Sequence, residues 1–491
     1  DNEEGLTGLA MVYGDLGDNT NASLLLKRVA DKSPSLRTLT ALASAYDQMK
    51  DYKGAAEAYR RALELNRENT DLKAAYAEEL LKTADYNEAL KVFQEIAAEE
   101  PSNLGAALKL SEIYRQKRDF AKAHEYADKA SELDPANLEV QFNQVSLLEA
   151  EGKPAEAIRT LKEVLGGMSK KPASPGDRTS RTFLLERLGI LYRMNDQTEQ
   201  AVAAFREIID LDADSGARAA AQILETYTNA KDFAAAEREA AVFSKRYPED
   251  RIIKTVNADL QASVGQFKEA ESTLKSLLDG KSDREVWIAL SQVYEKARNW
   301  PAMADAIDRV EKLAASPEEK EDAIFLRGAM YERMKKYDQS EAEFRKVLQV
   351  NPSSARTLNY LGYMLADRNA RLSEALEMIQ KAVDQEPTNS AYLDSLGWVY
   401  YRLNKLEEAE DNLRRSLQYG SRDAAVYDHL GDVYLSRNKL KDAIQQWERS
   451  LKEWQSAAPS EADPAEIAKV QKKLEKAKVR LAQEHGAPHQ E

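Results

Sequence analysis

Asp428, His429 and Asp432 form the neighbourhood in this chain that comes closest to general acid–base chemistry, an imidazole with carboxylates beside it. The other three histidines lie apart: His124 falls in a helix of its own, and His485 and His489 belong to the C-terminal tail. There is no cysteine, so neither a thiolate nucleophile, a disulfide nor a thiolate metal site can be built. The chain has no HExxH, no GxSxG and no glycine-rich loop to cradle phosphate. Paired carboxylates are plentiful, but on helices this charged they read as solvated faces, and His429 reads as a satisfied surface histidine. The sequence therefore predicts no enzyme, no cofactor, no metal and no small-molecule substrate.

The totals point to helices. Of 491 residues 43% are hydrophobic and 31% charged, while 14 prolines and 20 glycines are few for the length. That balance favours long helices with short turns over sheet or disorder. A formal net charge of −14 argues against a nucleic-acid surface, which needs clustered Lys and Arg to displace counterions from phosphates. The exception is residues 465–484, where Lys469, Lys472, Lys473, Lys476, Lys478 and Arg480 gather on one helix. It reads as a solvated capping helix, with an RNA or lipid contact as the alternative. No run of 18 apolar residues occurs, so no segment reads as a membrane-spanning helix. The first residue is Asp1 rather than Met, which leads to the expectation that something upstream was removed, by processing, by cloning or by lack of order.

Self-comparison gives a period near 34 residues. An aromatic or its substitute recurs at Tyr13, Tyr46, Leu80, Tyr114, Leu148, Tyr192, Tyr227, Gln261, Tyr294, Tyr331, Leu365, Tyr400 and Tyr434. Nine residues after each comes a small residue in most units, from Ala22, Ala55 and Ala89 through Met303 and Ser340 to Ala409 and Ala443. Four further on, many units carry a bulky side chain, among them Tyr59, Phe93, Phe205, Phe344, Leu413 and Trp447. Proline closes many units, as at Pro34, Pro101, Pro135, Pro248, Pro352 and Pro387. This pattern resembles the tetratricopeptide repeat (TPR) family along nearly the whole chain. The resemblance implies an all-α fold: a right-handed α-solenoid of about thirteen stacked helix-turn-helix units with a C-terminal capping helix. Physics asks for the same stacking. Ordering 34 residues costs on the order of 50 kcal/mol at about 1.5 kcal/mol per residue, more than one isolated helix pair recovers by burying one seam. Gly362, Gly397 and Gly431 in first helices and the Ala series in second helices are expected to be the places where helix axes approach closely.

Departures from the period set the expected organisation. Residues 1–165 read as an N-terminal array of about five units, the first degenerate. Residues 166–181, GGMSKKPASPGDRTSR, read as an exposed loop, either a tolerated insertion or a binding loop. Middle units follow over 182–313, a longer turn over 314–322, and C-terminal units over 321–455. A basic capping helix over 464–484 carries Ile467, Val470, Leu474, Ala477 and Leu481 as one apolar stripe, and 485–491 is a frayed tail.

If the units stack, the first helices line a concave groove. In the last three units their groove positions give Asn359 and Tyr363, then Asp394, Trp398 and Tyr401, then Asp428, Asp432 and Leu435. Aromatics beside carboxylates suit a protein or peptide partner that carries a basic segment; Trp398 and Tyr401 packing on a neighbouring helix is the alternative. Some members of the family hold the free carboxylate of chaperone tails with Lys and Asn at such positions. Here the equivalents are Asp394 and Asp428, so the resemblance does not extend to that clamp. The run Leu361-Gly362-Tyr363 and the segment Leu393-Asp394-Ser395-Leu396-Gly397-Trp398 are similar to the C-terminal part of bacterial envelope TPR proteins, several of them outer-membrane lipoproteins. That group includes adaptors that hold a processing protease and bring cell-wall hydrolases to it. The expectation is a non-catalytic scaffold or adaptor with a periplasmic or outer-membrane address. Its alternatives are a cytoplasmic address, a structural subunit of a larger assembly, and an RNA or lipid contact through the basic helix.

Overall fold

The structure is a computed structural model that describes residues 3–172 and 174–486. Among the described residues it contains 27 α-helices and no strand. The chain divides after Val164 into two compact units, each a solenoid of antiparallel helix pairs. The first unit holds α1 Glu3–Asp15, α2 Asn19–Lys32, α3 Leu36–Gln48, α4 Tyr52–Leu65, α5 Thr70–Lys82, α6 Tyr86–Glu99, α7 Leu104–Gln116, α8 Phe120–Leu133 and α9 Leu138–Ala150, and ends within α10 Pro154–Gly167. The second begins with α11 Pro175–Met194, α12 Thr198–Leu211, α13 Gly216–Asn229, α14 Phe233–Arg246, α15 Arg251–Ser263, α16 Phe267–Lys275, α17 Asp283–Lys296 and α18 Trp300–Leu313. It continues with α19 Pro317–Arg333, α20 Tyr337–Val350, α21 Ala355–Asp367, α22 Leu372–Gln385, α23 Ser390–Arg402, α24 Leu406–Gln418, α25 Ala424–Ser436, α26 Leu440–Ser456 and α27 Pro464–Gly486. No described helix is long and apolar enough to cross a membrane.

Each pair is joined by a short turn whose residues act twice. In the second pair Lys50 adopts a left-handed conformation (φ 59°), and the Asp51 amide donates to the Tyr46 carbonyl at 2.9 Å, closing the end of α3. The Asp51 carboxylate then accepts the Gly54 amide at 3.0 Å and opens α4. Asp85, Asp119 and Asp232 cap α6, α8 and α14 in the same way.

Packing follows the period. All thirteen small second-helix positions, from Ala22 to Ala443 and including Met303 and Ser340, are at most 1% exposed, so the register taken from the sequence is the register of the core. The first-helix glycines face the bulky residues of the second helix. A Cβ on Gly397 would lie 2.6 Å from Leu413 Cγ and 3.1 Å from the Ala409 carbonyl, and one on Gly431 would lie 2.5 Å from Trp447 Nε1.

Two expected loops are shorter than the sequence suggested. The segment read as a loop over 166–181 is helical at both ends, because α10 runs to Gly167 and α11 starts at Pro175. The longer turn expected over 314–322 shrinks in the same way, since α19 starts at Pro317. The reason is shared. Ser174 and Ser316 accept amides from Asp177 and Glu319, and the following proline takes the first helical position, where a missing N–H costs nothing. The extra residues mainly lengthen first helices. Arg181, 3% exposed, anchors the extension through Glu207 and the Leu165 carbonyl at 3.1 Å.

Within the second unit the last pairs return to the first. Lys231 Nζ donates to Glu453 Oε2 at 2.8 Å and to the Glu453 carbonyl at 2.9 Å. Ser460 Oγ donates to the Ser263 carbonyl at 3.1 Å, and Arg422 pairs with Asp196.

Candidate functional site

The first helices α21, α23 and α25 stand side by side, and residues three or four apart on each share a face. On α23, Asp394, Trp398 and Tyr401 form one row, with Tyr363 from α21 on one side and Asp428, His429 and Asp432 from α25 on the other. The Trp398 ring stacks on Tyr401 (centroids 5.1 Å, planes 24°) and on His429 (4.1 Å, 19°), while Tyr363 lies 6.4 Å from His429. His429 Nδ1 donates to Asp394 Oδ1 at 2.9 Å.

The acidic end of the row is already occupied. Lys473 of α27 donates to both Asp428 oxygens and to Asp432 Oδ2, each at 2.8 Å. Its helix packs on α26 through Val470, Leu474 and Ala477 against Leu440, Ala443 and Trp447. Of the apolar stripe expected on the capping helix, Val470, Leu474 and Ala477 are buried, and Ile467 and Leu481 are half-buried.

Burial sets the protonation of the cluster. For His429 burial disfavours the charged ring, but the Asp394 carboxylate, then Asp428 and Asp432, outweigh it and lift its pKa above 6.5. Burial, then repulsion from Asp428, raises the Asp432 pKa, and Lys473 offsets only part of that. Lys473 moves upward as well: burial opposes its charge, and Asp432 and Asp428 more than restore it. The Tyr363 hydroxyl is pushed well above its ordinary range, by burial first and by Asp394 second.

Of the residues expected in the groove, Tyr363, Asp394, Trp398, Tyr401, Asp428 and Asp432 are brought into one cluster. Asn359 makes no hydrogen bond to these six among the described residues, and its Oδ1 is buried without a partner. Two readings are corrected. Trp398 is not an open groove wall but 8% exposed, because His429 from the next first helix lies flat against it; its Nε1 has no hydrogen-bond partner. His429 is not a surface histidine but is 6% exposed at the centre of the cluster. Its place, 34 residues after the buried Ser395, was the available signal. Lys473 was hidden within a run of lysines, and only packing distinguishes it.

Sequence profiles described as tetratricopeptide repeat match residues 7–70, 48–111, 80–141, 184–215, 330–390 and 395–462. The chain belongs to the tetratricopeptide repeat family. A TPR repeat-containing protein of Pseudomonas aeruginosa is 31% identical over 154 residues, which are 30% of this chain and 25% of that protein. Anaphase-promoting complex subunit 3 of Schizosaccharomyces pombe is 30% identical over 120 residues, 24% of this chain and 18% of that one. The matches therefore span about a quarter or less of these relatives. Among solved structures, yeast Tom70 aligns over 92% of this chain and 97% of its own at 17% identity, with a TM-score of 0.44. The profile matches at 330–390 and 395–462 cover α21 and α25 and most of α23, which are thus first helices of TPR units.

Proposed function

We propose that this TPR chain is a non-catalytic scaffold that holds a protein or peptide partner on the first-helix face of α21, α23 and α25. The observation that carries the reading is Tyr401, half-buried and stacked on the buried Trp398–His429 pair, with half-buried Tyr363 beside His429. Aromatic side chains fixed in this way bind with little ordering cost. His429 fits a structural role better than proton transfer, because it is buried, bonded to Asp394 and stacked on Trp398. A basic partner is less favoured than the bare sequence suggested, since Asp428 and Asp432 already hold Lys473.

The test is to pan a random peptide library on the chain and then measure the selected peptides against Asn359→Ala with Tyr401→Ala, two changes outside the buried pair. Binding should weaken by at least about tenfold, the scale of one good anchor. Equal binding by the variant would remove the site.

The finer reading is a bacterial envelope adaptor that recruits a protease or other enzyme and its substrates. Its support is the likeness of Leu361-Gly362-Tyr363 and of residues 393–398 to that group. Recovery of the native protein from the cytosolic fraction of its cells would count against it. A structural subunit is the second reading, favoured by the match to a subunit of a large complex; purification from native cells as a free monomer would oppose it. The RNA or lipid reading loses ground because Lys473, Lys469, Lys478 and Arg480 are engaged with Asp428 and Asp432, Glu466, Glu448 and Glu484.

A further inference from the structure

Four units lack the aromatic at the marker position: Leu80, Leu148 and Leu365 replace it with an apolar side chain, and Gln261, between the Tyr227 and Tyr294 units, with a polar one. In two units that keep it, the aromatic reaches the second helix of the preceding pair. Tyr114 stacks on Tyr126 (5.7 Å, 10°) and accepts from Gln94 Nε2 of α6 at 2.9 Å. Tyr294 donates its hydroxyl to Glu271 Oε1 of α16 at 2.8 Å. In α15 the position is Gln261, whose amide oxygen instead accepts from Thr273 Oγ1 at 3.2 Å.

The facing wall is reduced too. Four residues after the small position of the second helix, where Phe93, Phe205 and Phe344 stand elsewhere, α14 has Ala240. Two large-to-small replacements meet and leave a notch of about 240 Å³, lined by Glu237, Ala240, Ala241 and Ser244 of α14 and by Asn257 and Gln261 of α15. Glu237 follows Ala236 as Glu271 follows Ala270, so the carboxylate that receives a tyrosine hydroxyl one unit on has its counterpart here. Its only described hydrogen bond is from Gln266 Nε2 at 3.2 Å.

We propose that this notch is a binding site for a tyrosine side chain presented by a partner protein, taking the place of the repeat's own missing tyrosine. Size and chemistry support that occupant. A cavity of about 150 Å³ already admits benzene, whereas sites for drug-sized molecules run to about 300–1,000 Å³, so the notch suits one ring. Its polar lining and the Glu237 acceptor favour a phenol over an apolar ring. The site lies on residues separate from the α21, α23 and α25 row, so either can fail without the other.

The experiment is a titration of 4-methylphenol into the full chain by ligand-observed NMR, with toluene as the control. Saturable binding of the phenol is expected, with toluene about five- to tenfold weaker for want of one hydrogen bond. Gln261→Tyr should fill the notch and abolish binding, Ala240→Leu should do so from the opposite wall should the first variant misfold, and Glu237→Ala should erase the preference over toluene. Absence of saturable phenol binding, or undiminished binding in the folded filled variants, would overturn the proposal.

Discussion

His429 carries a sign that can be worked out. Its folded pKa is raised above the ordinary 6.5, so its contribution to stability is complete below about that value and is lost as pH climbs through the folded pKa. Asp432, raised by burial, loses its own contribution as pH rises from about 3.8 towards its folded pKa, on the acid side of the His429 window. The chain is therefore expected to have a lower denaturant midpoint at about pH 8 than at about pH 6, and His429→Phe should flatten that difference; an unchanged slope in the variant would contradict the assignment. Gly397 is a second residue-scale case. Its missing Cβ leaves room for Leu413 and for the Ala409 carbonyl, and a carbonyl on a packed helix cannot step aside as a side-chain tip can. Gly397→Ala should cost about 1–3 kcal/mol, read as a lower midpoint with the helical circular dichroism retained below it.

At the scale of elements the hairpin turns hold accessible strain. Lys335 joins α19 to α20 in a left-handed conformation (φ 60°), which disfavours a residue with a Cβ by about 1–2 kcal/mol. Lys335→Gly should raise stability by about 0.5–1 kcal/mol once the greater freedom of glycine in the unfolded chain is subtracted, and thermal unfolding would report it. Docking of α27 depends on one cation together with an apolar stripe. Removing Lys473 takes away the ammonium that both Asp428 and Asp432 accept from and leaves their mutual repulsion less screened. Because Lys473 is about one-third exposed, Lys473→Ala should cost about 1–2 kcal/mol rather than the full loss of a buried pair. Proteolysis within 464–486 should accelerate selectively, and uniform protection would show that the stripe suffices.

On the scale of the molecule, the second unit closes on itself through a few polar contacts between its early turns and its last helices. Lys231 to Glu453 is the best formed, with a carboxylate and a carbonyl accepting from one ammonium. Contacts so few are the parts that open first, because each repeat is held mainly by its sequence neighbours. Lys231→Glu should replace attraction by repulsion and speed amide exchange over 453–460, with little change in exchange of the α21–α24 core. If exchange there stays slow, closure is carried by neighbouring packing instead.

The recurring glycine, tyrosine and alanine positions determined by themselves that the chain is a stack of TPR hairpins, because each hairpin must bury the same seam and a 34-residue period writes that seam locally. That Asp394, Trp398 and Tyr401 share one face of α23 was legible for the same reason, since helical spacing within one segment sets it. Local sequence misjudged Ser174-Pro175 and Ser316-Pro317, where the same dipeptide serves a loop or a helix start until packing pulls in the turn. Only the tertiary structure decided that His429 lies against Trp398 and that Lys473 bridges Asp428 and Asp432. Those contacts join residues 31 to 45 apart from different helices, and their distances depend on how the helices stack rather than on any one segment.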